Sequence, residues 1–241
     1  MKTFVFLKNE YFLCDTSRYM MSVARQTIIP SLKAQCSKGW DFHMVVSAMD
    51  PFYKYRMRTF RDCCERRFVP APHQEMPPDP EFARSVEVPH LQIVLPDDVI
   101  LTSGFIRALK IVTEQWEIQN PGKSATIAIP DGLFFDGEVL RHCPWNRSGI
   151  YVYYEAGTGH SGSVLHFTES IVWIRVKHFY SIDLDLQTTE SDFPMFQHVD
   201  VESLKRICRT RVAQATALGA TLDWTRVRGV RARRRKGARR R

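Results

Sequence analysis

Leu91-Gln-Ile-Val-Leu-Pro-Asp-Asp98 runs directly into Val99-Ile-Leu-Thr-Ser-Gly-Phe-Ile106. The first stretch is an apolar run of strand type that stops at two adjacent carboxylates. The second crosses a polar break into an apolar-periodic helix. Carboxylates at the carboxyl end of a buried strand lie where open α/β sheets bind their ligands. Two side by side are costly there unless a positive group meets them, and a divalent metal holding a phosphate is the common solution. The pattern points towards a nucleotide-sugar enzyme.

Working outward, Thr3–Leu7 reads as a first strand, and the opening residues Met1–Phe12 read as that strand rather than as a signal peptide. A helical stretch follows over Ser17–Ile28, and Pro30 either starts a new helix or kinks the old one. Phe42–Ser47 is a short apolar run of the kind buried on both faces. Pro51–Arg67 reads as a basic amphipathic helix, Phe68-Val69 as a short strand and the proline-rich Ala71–Pro80 as a loop. Leu91–Leu95 is the next strand. Thr102 or Ser103 is expected to cap a helix running to about Glu117, with Asn120-Pro-Gly122 stopping it. Ala125–Ile129 is a further strand. This alternation predicts an α/β fold with a mostly parallel central sheet and right-handed crossovers. Beyond residue 130 the chain turns β-rich, with strands expected at Leu133–Phe135, Ile150–Tyr154, Val164–Phe167 and Ser170–Phe179, and a helix over Val201–Ala217.

The chain has 241 residues, 44% hydrophobic and 12% aromatic, ample for a real core. No apolar run approaches the ~20 residues of a membrane helix. Six cysteines lie scattered without a CxxC pair, which fits reduced thiols in a cytoplasmic protein and argues against zinc. The formal charge is +8, yet residues 226–241 alone carry ten Lys/Arg and no acid, so residues 1–225 sum to about −2.

The order "IIPSLKAQCSKGWDFHMVVSAMDP" (28–51) then "VLPDDVILTSGFIRAL" (94–109) resembles the rhamnosyltransferase-like glycosyltransferases of GT-A fold. The likeness continues weakly through Ile129-Pro-Asp-Gly132, Lys177-His178 and Phe196-Gln197-His198. The resemblance implies a GT-A-like domain over 1–225, with a nucleotide-sugar-binding half (1–130) and an acceptor half (131–225), followed by a disordered basic tail (226–241). It implies transfer of a sugar from a nucleoside-diphosphate donor to a glycan or lipid-linked acceptor. The family's acidic run is longer; Pro96 and Val99 stand where its first and last acids would be.

Asp97 and Asp98 are the candidate metal ligands for Mn²⁺ or Mg²⁺, one binding directly and the other through water or the ribose. The plainer alternative is a Pro-Asp-Asp turn with Asp98 helping to cap the next helix. By period-two alternation His178 shares a strand face with Val172, Ile174 and Val176. It is either a hydrogen-bonded core histidine or, as the resemblance implies, a late metal ligand. His198 is a weaker candidate, and His160 reads as a loop residue. Ser47 and Asp50 follow a strand at the expected nucleotide mouth and are candidates for base or ribose, or for an ordinary turn. Arg18 is placed for a phosphate or for solvent. If the reaction inverts the anomeric centre it needs a base. The resemblance places that acid at Glu190 or Asp192, with Asp131 and Asp136 as rivals.

The tail will bind polyanions, through nucleic-acid phosphates or at an anionic membrane surface, which would make the protein peripheral at the inner membrane face. Two other readings follow. One is a non-catalytic nucleic-acid- or virion-associated protein acting through the tail; the other is a degenerate glycosyltransferase scaffold.

Overall fold

A computed structural model of the chain describes residues 1–8, 14–35, 42–47, 67–71, 86, 89–156, 162–167, 172–178, 181, 186 and 200–209. Two mixed sheets organise them. The larger has seven strands in the order β10-β6-β9-β4-β1-β2-β3. Here β1 is Lys2–Lys8, β2 Phe42–Ser47, β3 Arg67–Ala71, β4 His90–Pro96, β6 Ala125–Ala128, β9 Tyr151–Glu155 and β10 Ser163–His166. β1 pairs in parallel with β2 and β4, β2 with β3, and β6 with β10. Only β9 runs the other way, paired antiparallel to both β4 and β6. The expectation of a mostly parallel central sheet holds, with β9 as the exception.

The smaller sheet has the order β5-β11-β7-β8, from β5 (Val99–Leu101), β11 (Trp173–Val176), β7 (Gly132–Phe135) and β8 (Leu140–Cys143). The sequence reading missed β5 and β8. Three residues are too few to show alternation, and the Leu-Arg-His-Cys of β8 keeps only its two ends buried. β11 is shorter than the expected Ser170–Phe179.

Four helices are described: α1 (Cys14–Gln26), α2 (Ile28–Lys33), α3 (Phe105–Gln119) and α4 (Val201–Cys208). The break between α1 and α2 falls at Thr27, not at Pro30, which sits inside α2. Neither Thr102 nor Ser103 caps α3. Its cap position is Gly104, which has no side chain to offer, and the first turn is instead met by Gln35, two residues past the end of α2, as shown below. Asp200 does cap α4, accepting from the Glu202 N–H at 3.1 Å.

β4 is buried from His90 through Leu95, the signature of a parallel strand covered on both faces. One face, with Leu91, Ile93 and Leu95, joins Val5 and Leu7 of β1 against Ile28, Leu32, Phe105 and Leu109 of the helices. A second core lies over the smaller sheet, where Ile100, Leu133, Phe135, Ile174 and Val176 meet Tyr19, Met20 and Val23 of α1 and Leu204 and Ile207 of α4. Val172 belongs to the first core, so the face expected to run from Val172 to His178 begins only at Ile174. The expected helix after Pro51, the loop after Pro72, His160, His198 and the basic tail lie outside the described residues.

Candidate active site at the carboxyl end of β4

Asp97 and Asp98 form the two-residue turn between β4 and β5, so one side joins each sheet. What fixes this turn comes from a helix seventy residues earlier. Thr27 Oγ1 donates to the Asp97 carbonyl at 2.6 Å and lies 2.8 Å from the Val23 carbonyl of its own helix, so its one proton is shared between helix and turn. Four residues on, Ser31 Oγ accepts from the Leu101 N–H at 3.0 Å and donates to the Thr27 carbonyl. Four residues further, Gln35 Oε1 accepts from the Ile106 N–H at 3.1 Å, while its amide nitrogen donates to the Thr102 carbonyl at 2.8 Å. Positions 27, 31 and 35 are spaced to lie along one helical face. All three side chains are buried. The Pro-Ser-Leu…Gln block is therefore a polar clamp. It supplies hydrogen-bond partners to backbone groups of the turn, of β5 and of the first turn of α3.

Asp98 is only 1% exposed. Arg175 from β11 reaches its Oδ2 with Nη2 at 2.6 Å and Nε at 3.0 Å. His178 Nε2 lies 3.3 Å from the same oxygen. Burial pushes the Asp98 carboxyl up, but the Arg175 guanidinium and then His178 outweigh it and bring the pKa from 3.8 down to about 2. The carboxylate is therefore charged at any physiological pH. Arg175 is anchored in turn, its Nη1 donating to the Arg147 carbonyl at 2.9 Å. The register explains the convergence: Arg175 pairs with Val99, and the Val176 N–H donates to the Asp98 carbonyl at 2.9 Å.

His178 is buried, its ring 6.5 Å from that of Tyr19, and it sits on Asp98. Both readings of this histidine meet in one place, a core position in contact with the acid pair. Asp97 is buried as well. Ser47 ends β2, on the same edge of the sheet as the carboxyl end of β4, and Arg18 lies in α1. Asp50, Glu190 and Asp192 lie outside the described residues. Of the rival acids, Asp136 serves a turn. It accepts from the Glu138 and Val139 N–H groups and pairs with Arg141 at 2.9 Å, and these contacts outweigh burial and lower its pKa. Asp131 follows β6, with Oδ1 accepting from the Trp145 N–H at 2.8 Å and Oδ2 facing His142 Nε2 at 3.3 Å. The sequence reading missed Arg175. Its signal was there to find, a cation inside the apolar Trp-Ile-Arg-Val strand.

The fit to a divalent cation turns on Asp98 Oδ1. This oxygen is buried and has no hydrogen-bond partner among the described residues, the state in which a carboxylate oxygen suits a hard cation. No group of three or more His, Cys, Asp or Glu that could hold a metal occurs among the described residues. A cation here would meet one open carboxylate oxygen, so it would have to be an ion that keeps waters and shares substrate phosphates, as Mg²⁺ and Mn²⁺ do.

No family model and no curated protein matches the chain. Solved structures are similar at low identity. The piece of S. aureus TarS spanning 1–349 with UDP-GlcNAc is 10% identical, with 75% of this chain and 60% of that one covered and a TM-score of 0.47. The same piece with UDP is 9% identical over 92% and 70%, with a TM-score of 0.47. The inositol-1-phosphate CTP transferase from T. maritima is 13% identical over 87% and 97%, with a TM-score of 0.34. The chain thus spans 60% of the length of the TarS piece in its UDP-GlcNAc complex.

Proposed function

We propose that the chain is a sugar-nucleotide transferase that moves a sugar from a nucleoside-diphosphate donor to a glycan or lipid-linked acceptor. The observation that carries this reading is the Asp97-Asp98 turn itself. It is buried at the carboxyl end of β4, clamped from α2, and leaves one charged carboxylate oxygen of Asp98 without a partner among the described residues.

Asp98, through its open Oδ1, would hold Mg²⁺ or Mn²⁺ together with water and the donor's phosphate oxygens, whereas Asp97 and His178, the other expected ligands, complete no three-donor group with it among the described residues. When bound, that ion would offset the negative charge of the donor's diphosphate. The chain's own residues supply the rest. Arg175 keeps Asp98 ionised and fixes its orientation through Oδ2, so Oδ1 is presented in one direction only. Thr27, Ser31 and Gln35 prevent the turn from relaxing, which keeps the site preorganised. Ser47, which ends β2 on the same edge, and Asp50, which lies outside the described residues, are proposed to receive ribose or base, and Arg18 a donor phosphate. Asp192 or Glu190 is proposed to take the acceptor proton.

A second reading rests on Arg175. One oxygen of Asp98 is already committed to a guanidinium and is not open to a cation, which favours a degenerate scaffold that binds nucleotide without turnover.

Calorimetric titration of UDP, GDP, CDP and dTDP with and without Mn²⁺ tests the proposal. One nucleoside diphosphate should bind in the presence of the ion, and Asp98→Asn should lose that binding while keeping the fold. Binding by none of them removes the reading. Binding without transfer from the matching sugar nucleotide favours the scaffold.

A further inference from the structure

The carboxyl ends of β4, β6 and β10 point to one edge of the large sheet, because β9 lies antiparallel to both of its neighbours and β10 parallel to β6. A cavity of about 430 Å³ opens there, beside the ends of β6 and β10 and the start of β9. Its size falls within the roughly 300–1,000 Å³ of small-molecule sites.

Its walls are unusual for this protein. Trp145 is 50% exposed, Tyr151 44% and Val164 54%, and all three line it. Large apolar side chains gathered at one concavity mark a binding surface, whereas scattered ones mean nothing. The polar groups are few: Asp131, His166 and Thr126 among the lining. Asp131 is held in place from both sides, by the Trp145 N–H on Oδ1 and by His142 on Oδ2. Among the described residues no Lys or Arg lines the cavity, and the charged side chain that does is the Asp131 carboxylate.

The cavity is tied to the acid pair by two short bridges. The segment carrying Trp145 ends at Arg147, whose carbonyl holds the Arg175 guanidinium that holds Asp98. Pro130, which precedes Asp131, accepts through its carbonyl from the Trp173 indole at 2.9 Å, two residues before Arg175.

We propose that this cavity binds a pyranose ring of the acceptor glycan, its role as acceptor resting on the transferase reading above. One face of a sugar ring is a set of C–H groups, slightly positive and apolar, complementary to the negative face of an indole or phenol. Its rim is hydroxyls, which a fixed carboxylate accepts from. Trp145 supplies the platform and Asp131 the hydrogen-bond acceptor.

Saturation-transfer NMR of the full chain with a panel of methyl pyranosides (glucoside, galactoside, rhamnoside and N-acetylglucosaminide) reads this directly. At least one should show transfer concentrated on ring C–H protons. Trp145→Ala should weaken it roughly tenfold, Trp145→Phe should restore most of it, and Asp131→Asn should weaken it too. Binding of whichever nucleoside diphosphate the titration identifies, measured on the same variants by calorimetry, should not move. No pyranoside binding, or binding indifferent to Trp145→Ala in a protein of unchanged circular dichroism, overturns the proposal. Loss of that nucleotide binding in Trp145→Ala also overturns it, since the cavity would then belong to the nucleotide. Pyranoside binding that depends on Trp145 in a chain binding no nucleoside diphosphate supports the subsite and sinks the transferase reading instead.

Discussion

Thr27 and Asp97 are joined by a 2.6 Å hydrogen bond from hydroxyl to carbonyl across seventy residues of sequence. That single contact ties the break between two helices to the turn that carries the acid pair. Thr27→Val removes the donor and keeps the shape. It leaves the buried Asp97 carbonyl without that donor, at about 1–3 kcal/mol. Urea unfolding should show that loss, and Thr27→Ser should recover most of it. A Val variant as stable as the parent would mean that the clamp adds no stability.

Arg175 and Asp98 should be strongly coupled. Arg175→Met alone strands a buried carboxylate and should cost about 3–5 kcal/mol, whereas the double variant Arg175→Met/Asp98→Asn should cost far less than the sum. A double-mutant cycle in denaturant measures the difference. Additive losses would show that the pair does not act as a unit.

The same pair sets an acid limit. Asp98 has its folded pKa depressed, so its contribution to stability is complete above the unfolded value of 3.8 and fades as pH falls towards about 2. The size is about 2 kcal/mol. Unfolding free energy followed down from pH 5 should drop over that window by this amount more in the parent than in Asp98→Asn. Parallel pH profiles for the two would exclude it.

Gly132 should tolerate no side chain. A methyl group there would meet the Trp173 ring at 2.3 Å and the Trp173 carbonyl oxygen at 2.6 Å, so backbone as well as ring must move. Trp173 is also held by its bond to Pro130, which removes the easy escape. Gly132→Ala is expected to lose roughly 1–3 kcal/mol, read as a lowered Tm.

Much of this architecture was legible from pattern alone where the physics is local. β2 and β4 are continuous apolar runs and both are strands, β4 buried from His90 through Leu95. The end of α3 at Asn120, followed by Gly122 at φ 72, was equally plain. Long-range satisfaction was not legible. α3 has its first turn met by Gln35 rather than by Thr102 or Ser103, because a partner seventy-one residues away leaves no mark near the helix start. The acid pair stood out, and so did the Pro-Ser-Leu…Gln block, but the reason the two occur together is a contact no spacing rule encodes. Arg175 went unseen because alternation sorted β11 by its apolar residues and passed over its charged side chain, which reaches Asp98.

The antiparallel placement of β9 has a consequence for how the chain assembles. Its two neighbours in the sheet, β4 and β6, are both synthesised earlier; β4 has β1 on one side, but the edges of β4 and β6 that face β9 have no partner until residues 151–155 emerge. Until then the sheet is split, with an unsatisfied row of backbone groups on each side of the gap. Closing it is a late, non-local event of the kind that slows folding. Fragments ending near residue 130 should therefore pair with one another and precipitate, while chains extended past Cys208, which carry β9, β10 and β11, should stay in solution.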